Sequence, residues 1–407
     1  MRRSGIETSA PRRRARRWAV TALAGAAIGA GLTSCSPPPT AGLSCAWANK
    51  TDPTQLNVAY PDTNATYFTF QYQLFDGQQL VLRGSYPAAR YFSFTTYNTS
   101  GNAIDSTSDR LIIPDPGSAN PYVDAGASSD MSLRHFTVRV TAATAATHGG
   151  NAISASTGSG LVSGFLTMRV YIPDNAADLT GGAGLPALSV STNGAEVAVP
   201  TCATQVVNPA LTTLVNLILP DPTGTPGPTP IFTRQNGDNL FPNPDNAYAS
   251  TLTSYQPGRV VVVTGKSPST PDTRGGDSPT LATDMRYWSL CNNEYRRPFP
   301  VDGVNGCAAD HGATLDGSGD YTFVVSPATD RPATADAAHG VTWLDWTNTS
   351  VTGVLIMRNM VSSPTFAHSI AGVAVGDPVT TTMGAYAPIA KYCTSASFDA
   401  VGAAACS

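Results

Sequence analysis

The chain has 407 residues, 42% hydrophobic and only 13% charged, with a formal net charge of −4. Seven of the 24 basic residues and one of the 28 acidic ones fall within the first 35 positions, which leaves 17 basic against 27 acidic, a net charge of −10, for the rest. Such an acidic body is unsuited to nucleic acid or to electrostatic adhesion on anionic lipid, and at about 360 residues it exceeds one ordinary domain.

Residues 1–35 read as an export signal. Arg12, Arg13, Arg14, Arg16 and Arg17 form a basic head, and Trp18 to Leu32 is an uncharged, mostly apolar run. That run is of signal-peptide length and shorter than the ~20 residues of a permanent span. Leu32-Thr33-Ser34-Cys35 resembles the lipobox of bacterial lipoproteins, which implies a lipidated Cys35; an ordinary cleaved signal is the alternative. Arg16-Arg17-Trp18 also resembles a twin-arginine signal. Residues 36–60 follow as tether and lead-in, beginning with the proline-rich Ser36 to Gly42.

Residues 61–219 form a first β-rich repeat. Phe68, Phe70, Tyr72 and Leu74 alternate with Thr69, Gln71 and Gln73; Phe136, Val138 and Val140 alternate with polar neighbours, as do Leu166, Met168, Val170 and Ile172. Period-two alternation between glycine- and proline-rich turns predicts antiparallel sheets with one wet face. Asn208-Pro209 caps a stripe of Leu211, Leu214, Val215 and Ile218 and predicts a helix over 209–218. Residues 220–244, rich in Pro, Gly, Asn and Thr, are a linker. Residues 245–407 form a second repeat with a C-terminal extension, in which Ser363-Pro364 predicts a short helix to about Gly372.

The two repeats share an order of blocks. Asn64-Ala65-Thr66-Tyr67 matches Asn246-Ala247-Tyr248, and Arg90-Tyr91-Phe92-Ser93-Phe94 matches Arg286-Tyr287-Trp288-Ser289-Leu290. Phe136 to Val140 matches Tyr321 to Val325, and Gly164 to Arg169 matches Gly353 to Arg358. The prediction is an all-β chain of two related antiparallel, jelly-roll-like β-sandwich domains from an internal duplication, with few short helices. The Arg-Tyr-aromatic-Ser strands, Ile112 to Ser118 and Gly340 to Leu344 resemble uncharacterised secreted actinobacterial proteins, themselves similar to a bacterial β-rich domain of unknown function. That resemblance implies a β fold and an exported compartment, and no site residues.

Apart from Cys35 there are six cysteines: Cys45, Cys202, Cys291, Cys307, Cys393 and Cys406. An even set outside the cytosol reads as disulfides, and short loops favour Cys291–Cys307 and Cys393–Cys406, leaving Cys45–Cys202. Cys-x-x-Cys and paired His are absent, and Asp316 to Asp320 lacks the later residues of an EF-hand, so no metal or cofactor is expected.

Two candidate sites remain. Glu294, Asp310 and His311 lie near arginines and the expected Cys291–Cys307 bond, where an acid–base group of an envelope hydrolase could form. Trp343 and Trp346, with Tyr287 and Arg286, could stack on and bond to a sugar; core packing is the simpler role for such rings. The duplicated Arg90/Arg286 and Arg169/Arg358 read as structural ion pairs. The whole predicts an extracytoplasmic protein, lipid-anchored on the outer face of the plasma membrane or secreted, that binds a ligand or acts as a scaffold. Its partners would be the membrane and an envelope polysaccharide or protein; a hydrolase and a purely structural surface protein are the alternatives.

Overall fold

The alternating apolar residues form strands whose inner faces make two cores. The computed structural model describes residues 45–51, 57–142, 151–156, 160–205, 209–237, 241–303, 305–347 and 350–407. The export signal, Cys35 and residues 36–42 lie outside the described residues. In the first repeat the strands are β1 (Asn49–Thr51), β2 (Ala65–Leu74), β3 (Gln78–Ser85), β4 (Ala89–Asn98), β5 (Ala103–Ser108), β6 (His135–Thr141), β7 (Ala152–Ser154), β8 (Val162–Pro173), β9 (Ala187–Thr192) and β10 (Ala195–Val199). Helix α1 (Pro209–Ile218) follows. The second repeat has β11 (Thr233–Arg234), β12 (Asn246–Ser254), β13 (Arg259–Lys266), β14 (Met285–Glu294), β15 (Cys307–Ala309), β16 (Asp320–Ser326), β17 (Thr342–Asp345), β18 (Thr352–Ser362) and β19 (Ile389–Thr394). Two short helices, α2 (Thr380–Met383) and α3 (Ser395–Val401), flank β19.

The topology repeats. Sheet order β1-β2-β8-β4-β5 is matched by β11-β12-β18-β14-β15, and β9-β3-β6-β7 by β19-β13-β16-β17, with β10 added at one edge of the first repeat. Even the parallel exceptions coincide, β6 with β7 and β16 with β17. Each repeat is therefore a β-sandwich. Phe68, Phe70, Phe92, Phe94, Phe136 and Val138 fill the first core, and Trp288, Leu290, Tyr321, Phe323, Leu355 and Met357 the second. Each such fully buried side chain stabilises the fold by about 1.5–3 kcal/mol.

Simple alternation fails along β4, β8, β14 and β18, which are buried on both faces for most of their length. The cause is the other repeat. The loop before β2 carries Asp62 to the outer face of β14, where its fully buried carboxylate accepts from the hydroxyls of Tyr287 (2.6 Å) and Ser289 (2.7 Å). Reciprocally, Asp245 before β12 accepts from Tyr91 of β4 at 2.8 Å. The guanidinium of Arg358 donates to the carbonyl of Tyr60 (2.7 Å) and that of Arg169 to the carbonyl of Phe241 (2.8 Å). Arg90 pairs with Asp310, and Arg286 with Asp109 at 3.2 Å. Burial pushes Asp109 up to about 6 against the pull of Arg286.

The backbone bends where these groups cross. Tyr60 and Phe241 have φ of 54° and 51°, and the β-branched Ile172 and Val361 have 45° and 49°. Left-handed geometry is costly for β-branched residues, and the surroundings hold it in both copies: Ile172 N donates to Asn64 O and Val361 N to Asp245 O.

Helix α1 matches its expected span. The segment from Ser363 to Gly372 does not form an α-helix; it is a series of turns ending in a 3-10 turn at Ile370–Gly372. Local bonds between Ser363 and Thr365 hydroxyls, and capture of Ile370 N by the Asn359 side chain, replace helical bonds. Disulfides join Cys45 to Cys202 and Cys291 to Cys307, whereas Cys393 and Cys406 are buried thiols, in place of the third expected bond. Disulfides belong to oxidising compartments, and among the described residues no helix is long and apolar enough to cross a membrane.

Asp62→Ala leaves two buried hydroxyls unpaired and removes the carboxylate lying 3.9 Å from Arg358. Urea denaturation should show a loss of about 3–5 kcal/mol; a loss below 1 kcal/mol would show that Asp62 is not a cross-link between the repeats.

Candidate functional site

The 291–311 region does not gather one acid–base group. Glu294 ends β14 and pairs with Arg296, while Asp310 follows β15 and lies at the level of Trp288, six residues back along β14 or ~20 Å at strand rise. Asp310 is 3% exposed and paired with Arg90. Burial raises its carboxyl, but hydrogen bonding from His311 and the charge of Arg90 outweigh this and hold it below the usual carboxylate range. His311 lies 3.7 Å from Asp310 and 3.4 Å from Arg274. These contacts describe an ion-pair network at the junction of the repeats.

The aromatic candidates are also engaged. Trp346 is 2% exposed in the second core, with its indole N–H on Ser350 O at 3.0 Å. Trp343 is partly buried, donates to Ser326 Oγ at 3.1 Å, and has the Arg331 guanidinium over its ring at 4.6 Å. Tyr287 and Arg286 are buried between the repeats. Asp62 lies with Cys291 and Cys307 in a cluster of metal-site dimensions, but the sulfurs are joined to each other and the carboxylate accepts from Tyr287, Ser289 and Asn64.

Sequence reasoning missed Asp302, whose carboxylate accepts from Asn292 and from both the backbone and hydroxyl of Thr347. It is 1% exposed, and burial, with Glu294 and Asp345 adding, raises it to about 6. It is sealed from solvent, which fits a structural role.

An open site lies where the copies differ. On the outward face of the first repeat, Thr69 opposes and bonds to Thr167 (3.1 Å), and Gln71 opposes Phe165. At the same register positions the second repeat has Ser250 opposite Ile356 and Leu252 opposite Val354. These residues floor a cleft of about 540 Å³, walled by Tyr60, Phe241, Tyr295 and the chain from Thr225 to Gln235. The volume is that of a small-molecule site. Arg358 is its one charged lining residue, committed to Tyr60 O and Cys291 Sγ. Burial raises the Tyr60 phenol far above its ordinary range, so it stays protonated. The cleft therefore offers an apolar floor, neutral hydroxyl and amide groups, and no free charge.

Beyond β11 lies a second cleft of about 840 Å³, sharing Gln235, Pro242 and Tyr248 with the first. Its lining includes amide side chains, Asn102 beside Arg110 from the first repeat and Asn243, Asn246 and Asn359 from the second.

The raised Asp302 makes one pH-dependent prediction. The folded state holds its proton more tightly than the unfolded chain, so its contribution to stability is greatest below pH 4 and falls as pH rises to about 6. Asp302→Asn should therefore gain on the native protein by on the order of 2–3 kcal/mol between pH 4 and pH 7 in paired urea titrations. A constant difference across that range would contradict the assignment.

No protein-family profile matches the chain, and no curated protein sequence matches it. Its fold is similar to that of an uncharacterized protein from Burkholderia cenocepacia, at 13% identity and a TM-score of 0.51, covering 86% of this chain and 82% of that one. A Vibrio parahaemolyticus protein is similar at 12% identity and a TM-score of 0.40, covering 82% of this chain and 90% of that one. The first likeness extends through both repeats and concerns the fold alone.

Proposed function

We propose that the chain is an extracytoplasmic protein, lipid-anchored through Cys35, that binds a neutral and partly apolar molecule in the cleft over β12 and β18. The export signature, the two disulfides and the resemblance to secreted actinobacterial proteins support the compartment. The observation that carries the binding role is the divergence between copies. Where the first repeat has Gln71 and Thr167 on its outward face, the second has Leu252 and Ile356, and a cleft without a free charge stands over them. Val354 and Ile356 are already buried by the protein and Leu252 is half-buried; a molecule in the cleft would complete the cover of Leu252. Hydroxyls of Thr225, Thr229 and Ser250 and the amide of Gln235 can bond to the ligand's oxygens and fix its orientation.

Nile red, a neutral apolar dye, tests this. The native protein should take it up saturably with a blue-shifted emission, and the double variant Leu252→Gln/Ile356→Thr, which restores the residues of the first repeat, should bind it at least tenfold more weakly with its melting temperature little changed. Absence of saturable uptake, or equal uptake by the variant, would refute the site. In cells, Cys35→Ala should move the chain from the membrane fraction to the medium; unchanged fractionation would refute the anchor.

A further inference from the structure

The second cleft carries chemistry that the first lacks. It is lined from both repeats, Asn102 and Arg110 on one side and Asp245 and Asn246 on the other, with Tyr248 and Gln235 at the border with the apolar cleft. Three of these have bonding capacity that the fold leaves unused. The Arg110 side chain is exposed, and its guanidinium has no hydrogen-bond or ion-pair partner among the described residues. The Asn102 side chain is exposed beside it. Asn246 has neither its amide oxygen nor its amide nitrogen bonded, although both are shielded from solvent. In the first repeat the register-matched residue is Ala65, which carries no amide. The copies thus differ here too, and a buried amide left unpaired is costly unless a partner arrives.

A primary amide offers donors and an acceptor side by side, and so does a sugar hydroxyl; guanidinium and carboxylate groups span vicinal hydroxyls, and a tyrosine ring covers the apolar face of a pyranose. The cleft has all of these, set beside the small apolar side chains of Ala103, Ala247 and Ala371. We infer that the amide-lined cleft between Asn102–Arg110 and Asp245–Tyr248 is a glycan-binding site. The inference rests on the reading of the chain as a binding protein but uses a different surface from the apolar cleft. Hydroxyls of the glycan bond to Arg110, Asn102 and Asp245, and a small movement of the Asn246 side chain supplies its amide to the bound sugar. Asn243 and Asn359, whose amides are already bonded within the protein, shape the wall.

The full-length protein, fluorescently labelled, is applied to a printed array of bacterial and synthetic glycans, and affinities for the retained glycans are measured by calorimetry. The expected result is saturable binding to a discrete set of glycans, weakened at least tenfold by Arg110→Ala and by Asn246→Ala, with Nile red uptake unchanged in both variants. The Leu252→Gln/Ile356→Thr protein should retain the glycan, which separates this site from the apolar one. Retention of no glycan, or affinities unaltered by both variants, overturns the inference while leaving the apolar cleft standing.

Discussion

The structure depends on an exchange. Each repeat sends the loop before its second strand across to the outer sheet face of the other, where an aspartate meets a tyrosine hydroxyl and an arginine holds the carbonyl of a residue at positive φ. A sandwich alone would leave this face wet; here it becomes an interior. Isolated charges in such a place would be prohibitively costly, and the arrangement works because each carboxylate and guanidinium has hydrogen-bonding partners waiting. Two sandwiches that bury polar groups in each other in this way form one body.

The exchange also explains where the clefts are. The linker must return from the end of the first sandwich and deliver Phe241 and Asp245 onto it, so the chain from Thr225 to Gln235 walls the cleft over β12 and β18 and joins their sheet at its edge, where Thr233 and Arg234 pair with β12. Duplication supplies the frame twice, but the linker passes once. The face beneath it was therefore free to change, and the changes from Thr167 to Ile356 and from Gln71 to Leu252 are found there. Similarly, where the first repeat has Ala65 the second has Asn246, whose amide is left uncommitted.

Much of the frame was legible in the sequence because strand periodicity is local. The alternation around Phe68 to Leu74 and Phe136 to Val140 appears as drawn in the burial of β2 and β6, and the repeated Arg-Tyr-aromatic blocks occupy equivalent strands. The short loop from Cys291 to Cys307 likewise announced a disulfide. What could not be read was what covers the second face of β4, β8, β14 and β18. Arg90 and Arg286, which read as structural ion pairs, each find their partner in the other repeat, and Asp310 and Tyr287, set out as candidate site residues, prove to be part of that cement; Trp346 takes the core role that was the simpler one for it. The clefts were illegible for the same reason, since Leu252 and Asn102 are distant in sequence from the residues they face, and only the comparison of matched registers isolates them.

Native-state hydrogen exchange in increasing urea, followed by mass spectrometry, would test the claim that the exchanged loops make the two repeats one cooperative body. The amides of β3 and β6 in the first repeat and of β13 and β16 in the second should converge on a single unfolding free energy and a single urea dependence. If the core strands of one repeat exchange through an opening that leaves those of the other protected, the buried cross-connections do not bind the two sandwiches together and the account fails.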